Sequence, residues 1–240
     1  MRNAPRSDAV IPSGSALVLV ASTARVLEAL PDEPLAADAA ARRDRLRRAA
    51  DRDDFTAARL LAAAAHRALT GDTIAAEELV QRCDSCGGAH GRPQPTTAGL
   101  HLSWSHANGT VAAGAARGRL GVDVEGGTPA SDGMPDAALS PAERRILAGS
   151  ADPGAAFLLS WTAKEALAKA GAARLDGFAG LTVLADDRRL ATGHGRFALA
   201  SRRGEGFCAS AATPGPVLWR TLDADGGLVP FTHRAVGGAA

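Results

Sequence analysis

Gly121-Val-Asp-Val-Glu125 is a short alternating segment. In an extended chain successive side chains point to opposite faces, so Val122 and Val124 share one face and Asp123 and Glu125 the other. Aspartate is depleted in strands, and two like charges about 7 Å apart on one face repel unless a cation lies between them. An ordinary half-exposed strand carries the same pattern, so the segment by itself leaves a metal site and a plain strand both open. Upstream, residues 100–104 and 110–116 are β-like and are joined through Asn108-Gly109, a strong hairpin signal. Downstream, residues 126–139 are rich in Gly, Pro, Ser and Asp and read as a loop. Ser140-Pro-Ala-Glu143 predicts a helix start, with Pro at the first helical position and Glu three residues after the cap. A longer helix is expected over about 153–171.

Towards the N-terminus, residues 16–22 read as a buried strand and 36–50 as an Ala/Arg-rich helix. A second helix is predicted over about 54–69, capped by Asp53 or Asp54 and ended by Gly71, and a short third over 75–82. Beyond residue 171, β-like runs near 181–185, 195–200, 206–212 and 217–221 read as a meander. Strand, helix and further strands thus occur twice, with a break near 117–120. This predicts an α+β fold with mostly antiparallel strands, divided into residues 1–118 and 119–240.

Of the 240 residues, 46% are hydrophobic and 22% charged, which excludes wholesale disorder. A net charge of +1 supplies no global field for nucleic acid or a membrane surface, and no apolar run approaches the roughly 20 residues that cross a bilayer. Three cysteines cannot make a disulfide framework, so a reduced, cytoplasmic protein is expected. Of 27 basic residues only Lys164 and Lys169 are lysine. Either chance spared both in an arginine-preferring composition, or both sites need a compact ammonium that a planar guanidinium cannot replace. Seven arginines between Arg42 and Arg59, against four aspartates, make a locally basic stretch. It reads as a solvated helix face or as a phosphate contact. A nucleic-acid role is disfavoured by the net charge and the interspersed Asp.

Within Trp161-Thr-Ala-Lys-Glu-Ala-Leu-Ala-Lys169, helical geometry puts Trp161, Glu165 and Lys169 on one face with Lys164 beside it. A surface Glu165–Lys169 pair would contribute only about 0.3–0.5 kcal/mol. A large ring on the same side as the charges points instead to a cleft. Three carboxylates, Asp123, Glu125 and Glu165, without clustered histidines suit a hard cation such as Mg²⁺ sharing its shell with phosphate. Cys83-x-x-Cys86 with His90, and His101 farther on, has the outline of a zinc knuckle. With no second such pair and Cys208 remote, unpaired thiols in a loop are the plainer reading.

Gly-Val-Asp-Val-Glu125 followed by Trp161-x-x-Lys-Glu-Ala-x-x-Lys169 resembles the 4′-phosphopantetheinyl transferase superfamily. His90-Gly-Arg-Pro93 is similar to that family's His/Tyr-Gly-Lys-Pro segment, Ser103-Trp-Ser-His106 to its Ser-x-Ser-His strand, and the helix around Arg59-Leu-Leu61 to its early phosphate-binding helix. The likeness covers roughly residues 45–175 and resembles the longer, monomeric, surfactin-synthetase-activating type. That type implies two pseudo-related α/β halves, each a small sheet packed by helices, with the active site at their interface.

The resemblance implies transfer of 4′-phosphopantetheine from coenzyme A to a serine of an apo acyl or peptidyl carrier protein. Asp123, Glu125 and Glu165 would hold Mg²⁺, with Mn²⁺ as the alternative. Lys169 would contact phosphate or help deprotonate the serine. Ser105 and His106 would meet the nucleotide phosphates, with Arg59, Arg92 and Arg48 as further cationic contacts. Glu143 matches a proposed general base and Lys164 another of the family's constant cations. The carrier would dock near residues 126–145. One departure is that Ala172 and Arg174 stand where the family has glycines. A catalytically weakened coenzyme A-binding protein of the same fold is the alternative that this departure supports.

Overall fold

Six of the seven residues of β1 (Ala16–Ser22) are buried, and its two faces serve two different cores. Leu17, Leu19 and Ala21 meet the apolar face of the long helix α3 (Ala49–Thr70), while Ala16, Val18 and Val20 point the other way. The computed structural model, which describes residues 11–83, 86–94, 97–127, 136–232 and 235–236, builds outward from this strand.

β1 is central in a five-stranded sheet. On one side it pairs antiparallel with β5 (Thr110–Ala116), which pairs with β4 (His101–Ala107). On the other it runs parallel to β10 (Val217–Leu222), flanked by β11 (Leu228–Pro230). The β4–β5 turn is the Asn108-Gly109 pair, both at positive φ, as a two-residue hairpin turn demands. A second sheet orders β12 (Ala235–Val236), β8 (Phe197–Gly204), β9 (Phe207–Thr213) and β6 (Gly121–Gly126), with β7 (Gly193–His194) beside β8.

The sheets face each other across a third apolar cluster that includes Val18, Val20, Ala112, Val122, Val124, Ala211 and Trp219. Helix α5 (Pro153–Ala170), preceded by α4 (Pro141–Ala148), covers the outer face of the second sheet. The layers therefore run α3, first sheet, second sheet, α5. No helix among the described residues is long and apolar enough to cross a membrane.

The mixed α+β reading holds, and the order strand, helices, hairpin does recur in β1–α3–β4–β5 and β6–α5–β8–β9. Several local expectations need correction. The Ala/Arg-rich helix is interrupted: α2 (Ala37–Asp44) stops and α3 begins at Ala49. Five arginines within 42–48 place like charges one turn apart, and Arg52 turns back to donate to the Leu46 carbonyl, 2.8 Å away. Asp54 is a helix-interior residue rather than a cap. Its buried carboxylate accepts from the Thr23 hydroxyl at 2.5 Å and the Gly109 N–H at 3.1 Å, tying α3 to the hairpin turn.

A short helix, α1 (Thr23–Ala29), was not foreseen, although Ser22 caps it by accepting from the Arg25 N–H. Residues 75–82 form only a 3-10 turn at Ala76–Glu78 and the strand β2 (Gln81–Arg82), paired with β3 (Arg92–Pro93). Within 181–185 there is a single bridge, Leu184 to Leu190. The last run, 217–221, does not continue a meander. It crosses to lie beside β1, so residues 217–230 join the first sheet although they follow the second in sequence.

Gly121 sets the spacing of the second half. A Cβ there would lie 1.9 Å from the Ala166 carbonyl oxygen, so α5 rests directly on the backbone of β6. Gly121→Ala should therefore push helix and strand apart and cost about 3 kcal/mol, whereas Gly118→Ala, with open space around it, should be nearly neutral. Urea denaturation of the two variants checks this; equal stabilities would contradict it.

Candidate active site

Because α5 seats on β6, the outward face of the strand meets one face of the helix. β6 contributes Asp123 and Glu125, and α5 contributes Trp161, Glu165 and Lys169 on successive turns. The Lys169 ammonium lies 2.6 Å from Asp123 Oδ1, and the Ser105 hydroxyl, on β4, donates to the same oxygen at 2.8 Å. Asp123 is 3% exposed, and its second oxygen, Oδ2, is buried without a partner. The indole N–H of Trp161 donates to Glu125 Oε1 at 3.1 Å.

Burial, reinforced by the charge of Asp123, pushes the carboxyls of Glu125 and Glu165 above their ordinary values. The three carboxylates thus feel one another, but their oxygens are not drawn into a ready ligand cage. Among the described residues, three metal-type donors come within 4.8 Å of one another only at Cys83, Cys86 and His90. An orphaned buried oxygen and two carboxyls biased towards protonation are what a hard divalent cation relieves, so this donor set fits Mg²⁺.

Beside these groups opens a cleft of about 950 Å³, lined by residues of the β2–β3 hairpin, β4, the segment leading into β6, and α5 with the segment after it, among them Arg92, His101, Arg119, Glu165, Lys169 and Arg174. A smaller recess of about 180 Å³ is lined by Arg42, Phe55, Arg59, Ser105 and His106 and shares Lys169 with it. Cationic groups outnumber carboxylates in both.

Arg59 is 3% exposed and lies with its guanidinium 3.4 Å from the centre of the Phe55 ring. It donates to the Phe55 carbonyl and to Gln81 Oε1. Burial and the nearby Arg42 lower its pKa to about 9, which leaves it charged at neutral pH, and its Nε has no partner. His106 packs edge-on to Phe55; burial, together with Arg59, Lys169 and Arg42, holds its pKa below the ordinary value against the pull of Asp54. At neutral pH it therefore offers a hydrogen bond rather than a positive charge.

Arg92 is exposed on β3 at the cleft. Arg48 is exposed at the start of α3 and lines neither cavity. Part of the predicted docking loop, residues 128–135, lies outside the described residues.

Glu143 and Lys164 lie elsewhere. Both are completely buried, with Lys164 Nζ 2.5 Å from Glu143 Oε2. Lys164 also donates to the carbonyls of Ala138 and Phe178, which uses all three of its protons. Glu143 accepts from Ser160, the Val183 N–H and the Ser140 N–H, the last as half of a capping box. Burial opposes its ionisation, but these donors and Lys164 outweigh it and hold the carboxyl below its ordinary value, while burial pulls Lys164 towards neutrality against Glu143. Neither side chain has a face left for a ligand. The place they hold is a buried pair that fastens α4 to α5.

Sequence reasoning passed over Arg119 and Gln81, for which only the fold supplies a signal, and named Arg42 only as one member of the basic stretch. Arg174 looked like a lost glycine; it lines the cleft, while Gly171, at φ +76, makes the left-handed turn that ends α5.

Removing one member of the buried pair leaves an uncompensated charge, so Lys164→Ala should cost about 4 kcal/mol. Because the folded pKa of Glu143 is depressed, its contribution is complete above its ordinary value of 4.5 and fades as pH falls below that. The stability gap between wild type and Glu143→Gln, measured by urea denaturation, should therefore shrink below pH 4.5. A gap independent of pH would contradict the pairing.

No curated protein matches the chain. Residues 119–211, which carry β6, α4, α5, β8 and most of β9, match the family model of the 4′-phosphopantetheinyl transferase superfamily.

Proposed function

We propose that this protein is a 4′-phosphopantetheinyl transferase of the monomeric, two-half type, acting in the cytoplasm on apo acyl or peptidyl carrier proteins. The observation that carries the reading is the cationic cleft lined by Glu165 and by Lys169, the counter-ion of Asp123, within and beside the stretch that matches the superfamily. One chain supplies both walls of that cleft, which supports a monomer.

In the reaction a carrier serine oxygen forms a bond to the phosphorus next to pantetheine. The bond from that phosphorus to the bridging oxygen breaks, and adenosine 3′,5′-bisphosphate leaves. Arg92, Arg119, Lys169, Arg59 and Arg42 supply the positive charge that a pyrophosphate and a 3′-phosphate require, and fixing the donor makes the attack nearly unimolecular. Ser105 and His106 add hydrogen bonds in the recess. Asp123, Glu125 and Glu165 would hold the divalent ion, which when bound neutralises pyrophosphate charge.

Lys169, held at Asp123, acts through its charge. Glu165 lines the cleft one turn away, and a carboxylate oxygen that it leaves free of the ion would accept the serine proton. Glu143, closed off in its pair with Lys164, serves the scaffold.

Incubation with coenzyme A, Mg²⁺ and a panel of apo carrier proteins, read by intact mass, should add about 340 Da to the acceptor, the mass of the transferred phosphoryl-linked arm. Asp123→Ala should slow this at least about 100-fold without loss of cooperative unfolding. Coenzyme A binding with no mass gain on any carrier would overturn the transferase reading in favour of a binding protein. Because burial raises the pKa of Glu125 and Glu165, divalent ion binding in mildly acidic buffer should release protons, and less so as the pH rises, measurable as buffer-dependent heat in calorimetry. Binding heat that is the same in every buffer would count against these ligands.

A further inference from the structure

The β2–β3 hairpin has strands of two residues each, and Cys86, Gly87, Ala89, His90 and Gly91 in its loop are exposed. Strands this short bury too little to hold themselves together in water. The loop is nonetheless tightly wound. Gly87 N–H donates to the Cys83 carbonyl at 2.8 Å, Cys83 N–H to the Gly88 carbonyl at 2.9 Å, and Gly87 sits at φ +69. A Cβ on Gly91 would lie 3.0 Å from Cys83 Cα, so the two ends of the loop are pressed together.

The winding has one chemical consequence. It gathers the donor atoms of Cys83, Cys86 and His90 within 4.8 Å of one another, with Cys86 Sγ 3.1 Å from His90 Nε2. Tetrahedral zinc with two thiolates and one imidazole would set these atoms about 3.6–3.8 Å apart, a change of a few tenths of an ångström for the closest pair.

We propose that Cys83, Cys86 and His90 bind zinc as a clamp on the β2–β3 hairpin. Two soft thiolates and an imidazole select zinc over Mg²⁺, so this site is separate in ligand chemistry from the carboxylates. No fourth such donor joins the group among the described residues, which leaves one tetrahedral position to solvent. The clamp is structural in effect. Gln81 on β2 donates to the Gly91 carbonyl at 2.7 Å and accepts from Arg59, and Arg92 on β3 lines the cleft. Closing the loop therefore fixes two cleft residues and orients a third. The site takes no part in the transfer chemistry, so either reading can fail without the other.

The test uses the full chain, reduced and treated with a chelator, then given zinc or cobalt alone. Wild type should retain about one equivalent of zinc after desalting. The cobalt form should show intense thiolate-to-cobalt absorption in the near ultraviolet and visible bands of tetrahedral strength. Cys83→Ser with Cys86→Ser should lose both signals, and His90→Ala should weaken zinc binding at least about tenfold. Zinc should also shield both thiols of wild type from iodoacetamide, a reading that needs no variant to fold. Zinc retention equal in the double variant, cobalt spectra without thiolate absorption, or alkylation unaffected by zinc would overturn the proposal.

Discussion

Everything at the cleft depends on how closely helix α5 lies on strand β6. With only a hydrogen at Gly121, the carbonyl of Ala166 comes down onto the strand, and two turns of helix are brought level with two alternate residues of the strand. That single approach makes Lys169 the counter-ion of Asp123 and Trp161 the hydrogen-bond donor to Glu125. A wider spacing would leave the same residues on neighbouring elements without letting them touch.

The same approach explains the electrostatics. Asp123 sits almost wholly out of water with one oxygen held by Lys169 and Ser105 and the other unpartnered. An unsatisfied buried carboxylate oxygen is costly, and the two glutamates beside it, themselves desolvated by burial and repelled by the charge of Asp123, have their pKa values raised. The cost is of the kind that functional sites retain because a ligand later relieves it. By contrast, Glu143 and Lys164 have all their polar atoms engaged within the protein. Two lysines five residues apart, which look alike in an arginine-rich sequence, have opposite fates because one faces the cleft and the other faces α4.

How much of this could be read beforehand follows from the range of the interactions involved. Alternation at residues 121–125, the Asn108-Gly109 turn and the Ser140 capping box are local signals, and the corresponding elements stand where expected. The shared face of Trp161, Glu165 and Lys169 was equally legible, because helical spacing alone decides it. The passage of β10 to the side of β1 was not, since nothing in residues 217–222 distinguishes a neighbour in sequence from one two hundred residues away. Nor was the burial of Glu143 and Lys164, which depends on carbonyls from Ala138 and Phe178. Cys83, Cys86 and His90 were visible as a pattern, but only the winding of the hairpin loop brings their donor atoms together.

The central claim is that Asp123, Glu125 and Glu165 share one divalent ion with the pyrophosphate of coenzyme A. Electron–nuclear double resonance on Mn²⁺ in the presence of protein and coenzyme A tests it most directly. The account predicts a phosphorus hyperfine coupling from the pyrophosphate that differs from that of the aqueous ion–coenzyme A mixture with wild type and reverts to it with Asp123→Ala. Manganese that keeps the spectrum of the aqueous ion–coenzyme A mixture when wild-type protein is added would contradict it.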